Sequence, residues 1–137
     1  MERCTNRSVG AIIRRDGKFL LIDRVNPPYG WAAVAGHIEE GQTPEEALKA
    51  EVREEVKLRV VSYELVIEEM VPWNNCRRSN EEGHYWYVYE VEVGESDEIK
   101  SEEHEVKEFG WFTPEEMKDR ELEPVWRQWF KMLGYIS

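Results

Sequence analysis

The run Thr43-Pro44-Glu45-Glu46 constrains this chain more than any other stretch, because three features fix a helix start there. Thr43 suits the cap, Pro44 the first helical position, and Glu46 reaches back to the cap amide. At roughly 100° per residue, Leu48, Val52 and Val56 then share one stripe, and Glu51, Glu54 and Glu55 share the next with Ala47. Lys49, Arg53 and Glu46 take the far side.

Glu51 stands three and four residues before Glu54 and Glu55, so each pairing is a like-charge contact costing about 0.2–0.5 kcal/mol in an isolated helix. Glu54 and Glu55 also face the negative end of the helix dipole. A divalent cation removes both objections, and carboxylate oxygens suit magnesium or manganese, which bridge to substrate phosphates. With 29 acidic residues in the chain, a solvated acidic face explains the spacing at least as well. The glycine-containing loop expected just before the helix tips the balance toward a metal site.

From Gly36 to Leu58 the chain resembles the signature box of the Nudix hydrolases, Gly-x5-Glu-x7-Arg-Glu-aliphatic-x-Glu-Glu-x-Gly-aliphatic. Gly36, Glu51, Val52, Glu54, Glu55 and Leu58 match it in register, and Gln42, Ala50 and Lys57 depart from it. Trp31, the Gly36-His37-Ile38-Glu39 approach, Gly41 and the later Phe109-Gly110-Trp111-Phe112-Thr113-Pro114-Glu115-Glu116 extend the likeness over most of the chain. The resemblance implies an α/β/α sandwich (α/β or α+β class) with a mixed central sheet. It also implies metal-dependent hydrolysis of the diphosphate bond in a nucleoside diphosphate linked to another moiety, such as a nucleotide sugar.

On that resemblance Glu51, Glu54 and Glu55 hold Mg2+ (or Mn2+), and the carbonyl of Gly36 or a neighbour adds a ligand. Glu54 also counts as catalytic. A glutamate from a later loop serves as general base in several members, which makes Glu102, Glu103 and Glu105 candidates, with Glu103 chosen; His104 is an alternative proton acceptor. The departures bear on chemistry, because the box acid and arginine brace the loop and orient the carboxylates. Here both charges are replaced together, Gln42 for one and Ala50 for the other, so neither is left uncompensated. Such supporting groups are commonly worth about 10–100-fold in metal affinity or activity. Lys57 takes a position expected to be left-handed, at a cost of order 1 kcal/mol.

At 137 residues the chain suits one domain spanning 1–137. A net charge of −11 disfavours binding along a nucleic-acid backbone or an anionic membrane, and requires an anionic substrate to arrive with its metal or meet a basic patch. Cys4 and Cys76 read as free thiols, and no signal segment or long apolar run appears, so a cytoplasmic protein is the expectation. Many members of the resembled family form dimers, and the sequence leaves a homodimer open.

Along the chain, Asp16-Gly17 joins two apolar runs as a hairpin, and residues 24–30 read as a loop. There Tyr29 and Trp31 are candidates for stacking on a base, although Trp31 suits core packing equally. Leu58 to Val71 predicts one long or bent strand ended by Pro72, and residues 73–83 a polar loop. Arg77 and Arg78 in that loop are candidates for gripping phosphate, against the plainer reading of a solvated tip; Trp73 is a further stacking candidate. His84 to Val93 alternates as a central strand. Its Tyr85, Tyr87 and Tyr89 either line a ligand groove or form a core with their hydroxyls reaching the rim, and the core reading is preferred. Val106–Phe112 predicts the last strand, Thr113 caps a short helix, and Val125, Trp126, Trp129, Phe130 and Leu133 form the core face of a final helix.

Two functions stand at this point: the hydrolase just described, and a nucleotide-binding module of the same fold with turnover lost along with the charged brace.

Overall fold

A computed structural model describes residues 7–24, 30–72, 83–94 and 106–137. Strands β1 (Arg7–Arg15) and β2 (Lys18–Arg24) form the expected hairpin. Asp16 and Gly17 both adopt positive φ, 52° and 76°, the turn geometry that matches the right-handed twist of the two strands. Short strands β3 (Trp31–Ala32) and β4 (Val34–His37) follow, then helix α1 (Pro44–Val56) and strands β5 (Val60–Val71), β6 (His84–Val93) and β7 (Val106–Phe112). Helices α2 (Pro114–Lys118) and α3 (Pro124–Met132) close the chain.

The sheet runs β3-β2-β1-β6-β5, with β4 paired to β1 and β7 to β2. It is mixed, because β1 and β6 run parallel while the other pairs are antiparallel. The long strand β5 is bent by register shifts at 60/62 and 65/67, as bulges do.

Each face of the sheet carries its own core. Val9, Ala11, Ile13, Leu20 and Ile22 pack with Ala47, Leu48, Val52 and Val56 of α1 on one side. Ile12, Phe19, Leu21, Trp86 and Val88 pack with Trp126, Trp129 and Phe130 of α3 on the other. Gly10 makes the second layer fit: a Cβ there would meet the six-membered ring of Trp126. Trp126 in turn stands edge-on to Trp86 at 5.8 Å between ring centroids. The apolar alternation of β1 and β2 on both faces thus has its cause in a helix above and a helix below. Among the described residues no helix is long and apolar enough to cross a membrane.

Both Thr-Pro-Glu-Glu runs form reciprocal caps. At α1 the Glu46 amide donates to Thr43 Oγ1 at 3.1 Å and the Thr43 amide to Glu46 Oε1 at 2.9 Å. The same pair of bonds, Thr113 with Glu116, opens α2. At the other end of α1, Lys57 adopts φ 58°, ψ 32°, the left-handed conformation expected of that position. Lys57→Gly therefore stabilises the fold by about 0.5–1 kcal/mol and leaves turnover unchanged, as thermal melts and steady-state rates would check. A lower melting temperature would mean that the bond from Lys57 Nζ to the Glu54 carbonyl, at 3.1 Å, outweighs the strain.

Candidate functional site

Gly36 was expected in a loop; it lies instead on β4, in register with Val9 of β1. The strand is only Val34–His37, too short for its alternation to be read from sequence. Pairing with β1 fixes where Gly36 faces, and it faces α1: a Cβ at Gly36 would overlap the carboxylate of Glu51. The glycine is thus a socket for the first of the three acidic side chains. No positive φ is involved at this position, so the requirement for glycine is one of space.

The acidic stripe of α1 divides on folding. Glu55 is 5% exposed, buried among the apolar residues that seat the helix, and its Oε2 is closed off from solvent. Glu51 is half-buried on Gly36, and Glu54 is exposed. Among the described residues no three His, Cys, Asp or Glu side chains converge closely enough to hold one ion. The donor set still suits a hard divalent cation: carboxylate oxygens are the ligands such an ion prefers, and Glu51 rests in a cradle that any residue larger than glycine at position 36 would fill.

The loop before the helix has a brace of its own. The Glu39 amide donates to Gln42 Oε1 at 2.9 Å, and the Gln42 amide donates back to the Glu39 carbonyl at 3.0 Å. Gln42 thus keeps the acceptor of the box acid without its charge. In the sequence Gln42 is a departure from the signature and nothing more, because its partner is a backbone amide that no side-chain pattern reveals.

The three tyrosines of β6 lie at different depths, Tyr89 deepest. It is 2% exposed, its hydroxyl donates to Glu45 Oε2 at 3.2 Å, and burial foremost, then the Glu45 charge, pushes its pKa up. Tyr87 is half-buried against the same cluster. Tyr85 is also half-buried, and its hydroxyl donates to Glu68 Oε2 at 2.5 Å. That bond, with smaller contributions from desolvation and the Glu68 charge, pushes the Tyr85 phenol up to about 12. The Tyr89 hydroxyl meets Glu45 at the start of α1, whereas that of Tyr85 meets Glu68 on the neighbouring strand β5.

Trp31 belongs to the opposite layer. Its ring packs with the α3 core and stands edge-on to Phe112 at 5.1 Å, with the Arg120 guanidinium 5.7 Å from it. Its backbone bonds to Glu121 and Glu123 fasten β3 to the segment before α3. The remaining candidates, Tyr29, Trp73, Arg77, Arg78, Glu102, Glu103, His104 and Glu105, lie outside the described residues, as do Cys4 and Cys76. A cavity of about 590 Å³ lies at the hairpin-turn end of β1, lined by Arg14, Arg15, Tyr63 and Glu90 among others. It is far along the strand from Gly36, and Arg14 within it is paired to Glu90 at 3.1 Å.

The NUDIX domain family model matches residues 5–133. A curated relative, nucleoside triphosphatase NudI of Escherichia coli O139:H28, is 29% identical over 138 residues, covering 91% of this chain and 94% of the relative. Among solved structures, a MutT NUDIX hydrolase from Burkholderia pseudomallei aligns with a TM-score of 0.72 at 23% identity, over 91% of this chain and 95% of that one. A MutT protein from Methanosarcina mazei Go1 aligns with a TM-score of 0.75 at 22% identity, over 96% and 94%. These two likenesses concern the fold.

Proposed function

The chain belongs to the Nudix family, and on that premise we propose that it hydrolyses the diphosphate bond of a nucleoside diphosphate derivative with a divalent cation, magnesium or manganese. The observation that carries this reading is the seating of the Glu51 carboxylate on Gly36, beside the buried Glu55, on one face of the sheet. Glu51, Glu54 and Glu55, with the Gly36 carbonyl, are the residues that would hold the ion, Glu54 turning in from solvent to do so. A bound cation supplies charge neutralisation at the phosphates and acidifies a water for attack on phosphorus. Glu103 is proposed to take the proton of that water, and Arg77, Arg78 and Tyr29 to contact the substrate; Trp31, given its packing, is assigned to the core.

The relative's name adds nucleoside triphosphates to the candidate substrates. A chain of net charge −11 is proposed to act on small nucleotides and to bind neither nucleic acid nor membrane. Cytoplasmic location and homodimerisation are further parts of the same proposal.

One observation favours the alternative of a binding module: the charged brace is replaced by Gln42 and Ala50. A phosphate- and monophosphate-release assay with magnesium, run against dinucleotides, nucleotide sugars and nucleoside triphosphates, decides between them. Product from any member supports the hydrolase, and tight binding with no product across the panel supports the module. Gln42→Glu combined with Ala50→Arg raises magnesium affinity by about tenfold, the low end for supporting groups, because the neutral staple already holds the loop. Unchanged affinity in a metal titration would reject a weakened brace.

A further inference from the structure

The register of the sheet places a second feature beside Gly36. Val9 pairs with Gly36 on one side and with Tyr87 of β6 on the other, and Tyr87 pairs with Glu68 of β5. Directly paired residues project to one face, and that face is the one beneath α1, since Val9 and Tyr87 pack with the helix cluster and Gly36 faces Glu51. Tyr85, two residues from Tyr87, projects the same way. Gly36 and Tyr87 are two strand spacings apart, roughly 10 Å, of the order of the span from the phosphates of a nucleotide to its base.

The feature has the form of a stacking platform. The rings of Tyr85 and Tyr87 stand edge to face, 5.2 Å between centroids, and both residues are half-buried, so each keeps some surface open to solvent. Tyr85 is held in place through its bond to Glu68. Met70, the β5 partner of Tyr85, is 50% exposed beside it. Glu68 is exposed; its carboxylate when ionised only accepts hydrogen bonds, and Tyr85 engages one oxygen of two.

We infer that Tyr85, Tyr87 and Glu68 form the nucleobase subsite, one tyrosine ring stacking on the base while the other meets its edge, and the free side of the Glu68 carboxylate accepting its N–H donors. This rests on the nucleotide reading proposed above and adds which base is preferred. Guanine, with adjacent N1–H and N2 amino donors, ranks first; adenine and cytosine offer a single amino group; uracil meets the carboxylate with carbonyl oxygens on either side of one N–H. Stacking tolerates any base, so the discrimination falls on Glu68.

The test is a calorimetric titration of the whole chain, with magnesium, by guanosine, adenosine, cytidine and uridine diphosphates. Guanosine diphosphate is expected to bind about tenfold more tightly than uridine diphosphate. Tyr85→Ala and Tyr87→Leu each weaken all four about tenfold, and Glu68→Gln reduces the spread among bases with less effect on their mean affinity. Tyr85→Ala keeps the experiment decisive if Tyr87→Leu, which touches the core, fails to fold. Four equal affinities, or variants that bind like the parent, overturn the subsite. Base-selective binding with no product in the release assay leaves the subsite standing and removes the hydrolase reading; product with no base preference does the reverse, and no binding by any of the four overturns the subsite while the release assay still judges the hydrolase reading.

Discussion

Glu54→Gln is expected to lower magnesium-dependent hydrolysis by at least about a hundredfold, since losing a ligand costs more than losing a supporting group, while the melting temperature stays level or rises. The two effects have different origins. Glu54 is exposed and supports no core packing, so glutamine of the same shape fits without rearrangement. Its charge opposes that of Glu51 one turn earlier and the dipole of the helix end, so neutralising it returns about 0.2–0.5 kcal/mol. A residue kept for stability would behave in the opposite way, with a lower melting temperature and unaltered rates. Full activity in the variant would remove the acidic stripe from the site. Activity and melting that fall together would assign Glu54 to the fold.

The distribution of burial along α1 explains what sequence could and could not reveal. Caps are local, so Thr43-Pro44-Glu45-Glu46 and Thr113-Pro114-Glu115-Glu116 announced both helix starts, and the two reciprocal bonds form at each. Alternation over ten residues likewise located β6, and its flanking by β1 and β5 made it central. The fates of Glu54 and Glu55 were hidden, since adjacent residues differ by only about 100° around a helix and the sheet beneath decides which is sealed. Placement of Gly36 on a strand and of Gln42 on a backbone amide depended on partners that sequence does not mark. The tyrosines of β6 share a face by period alone, and the alternation does not say that Tyr89 is buried while Tyr85 and Tyr87 are half-buried.

Gly36→Ala is expected to reduce turnover by about a hundredfold while costing less than about 1 kcal/mol of stability, because what the new methyl displaces is the far end of a flexible side chain. All three nearest atoms to a Cβ at Gly36 belong to the Glu51 carboxyl group, with no backbone atom among them, so the fold accommodates the methyl by swinging that carboxylate aside. Alanine is also free of backbone strain there, since Gly36 has no positive φ. A carboxylate moved by an ångström or so is no longer placed to hold an ion against a phosphate, and misplacement on that scale costs about 10²-fold. Glu51→Ala reaches the same deficit directly. The two changes therefore fail to add: Gly36→Ala with Glu51→Ala is no less active than Glu51→Ala alone, and its melting temperature is no lower, because the methyl then meets no carboxylate. Rates that fall further in the double variant would give Gly36 a role apart from seating Glu51, through its own carbonyl. A parent-like rate in Gly36→Ala would mean that the position of Glu51 over the glycine is irrelevant to catalysis, and the proposed metal set would lose its first member.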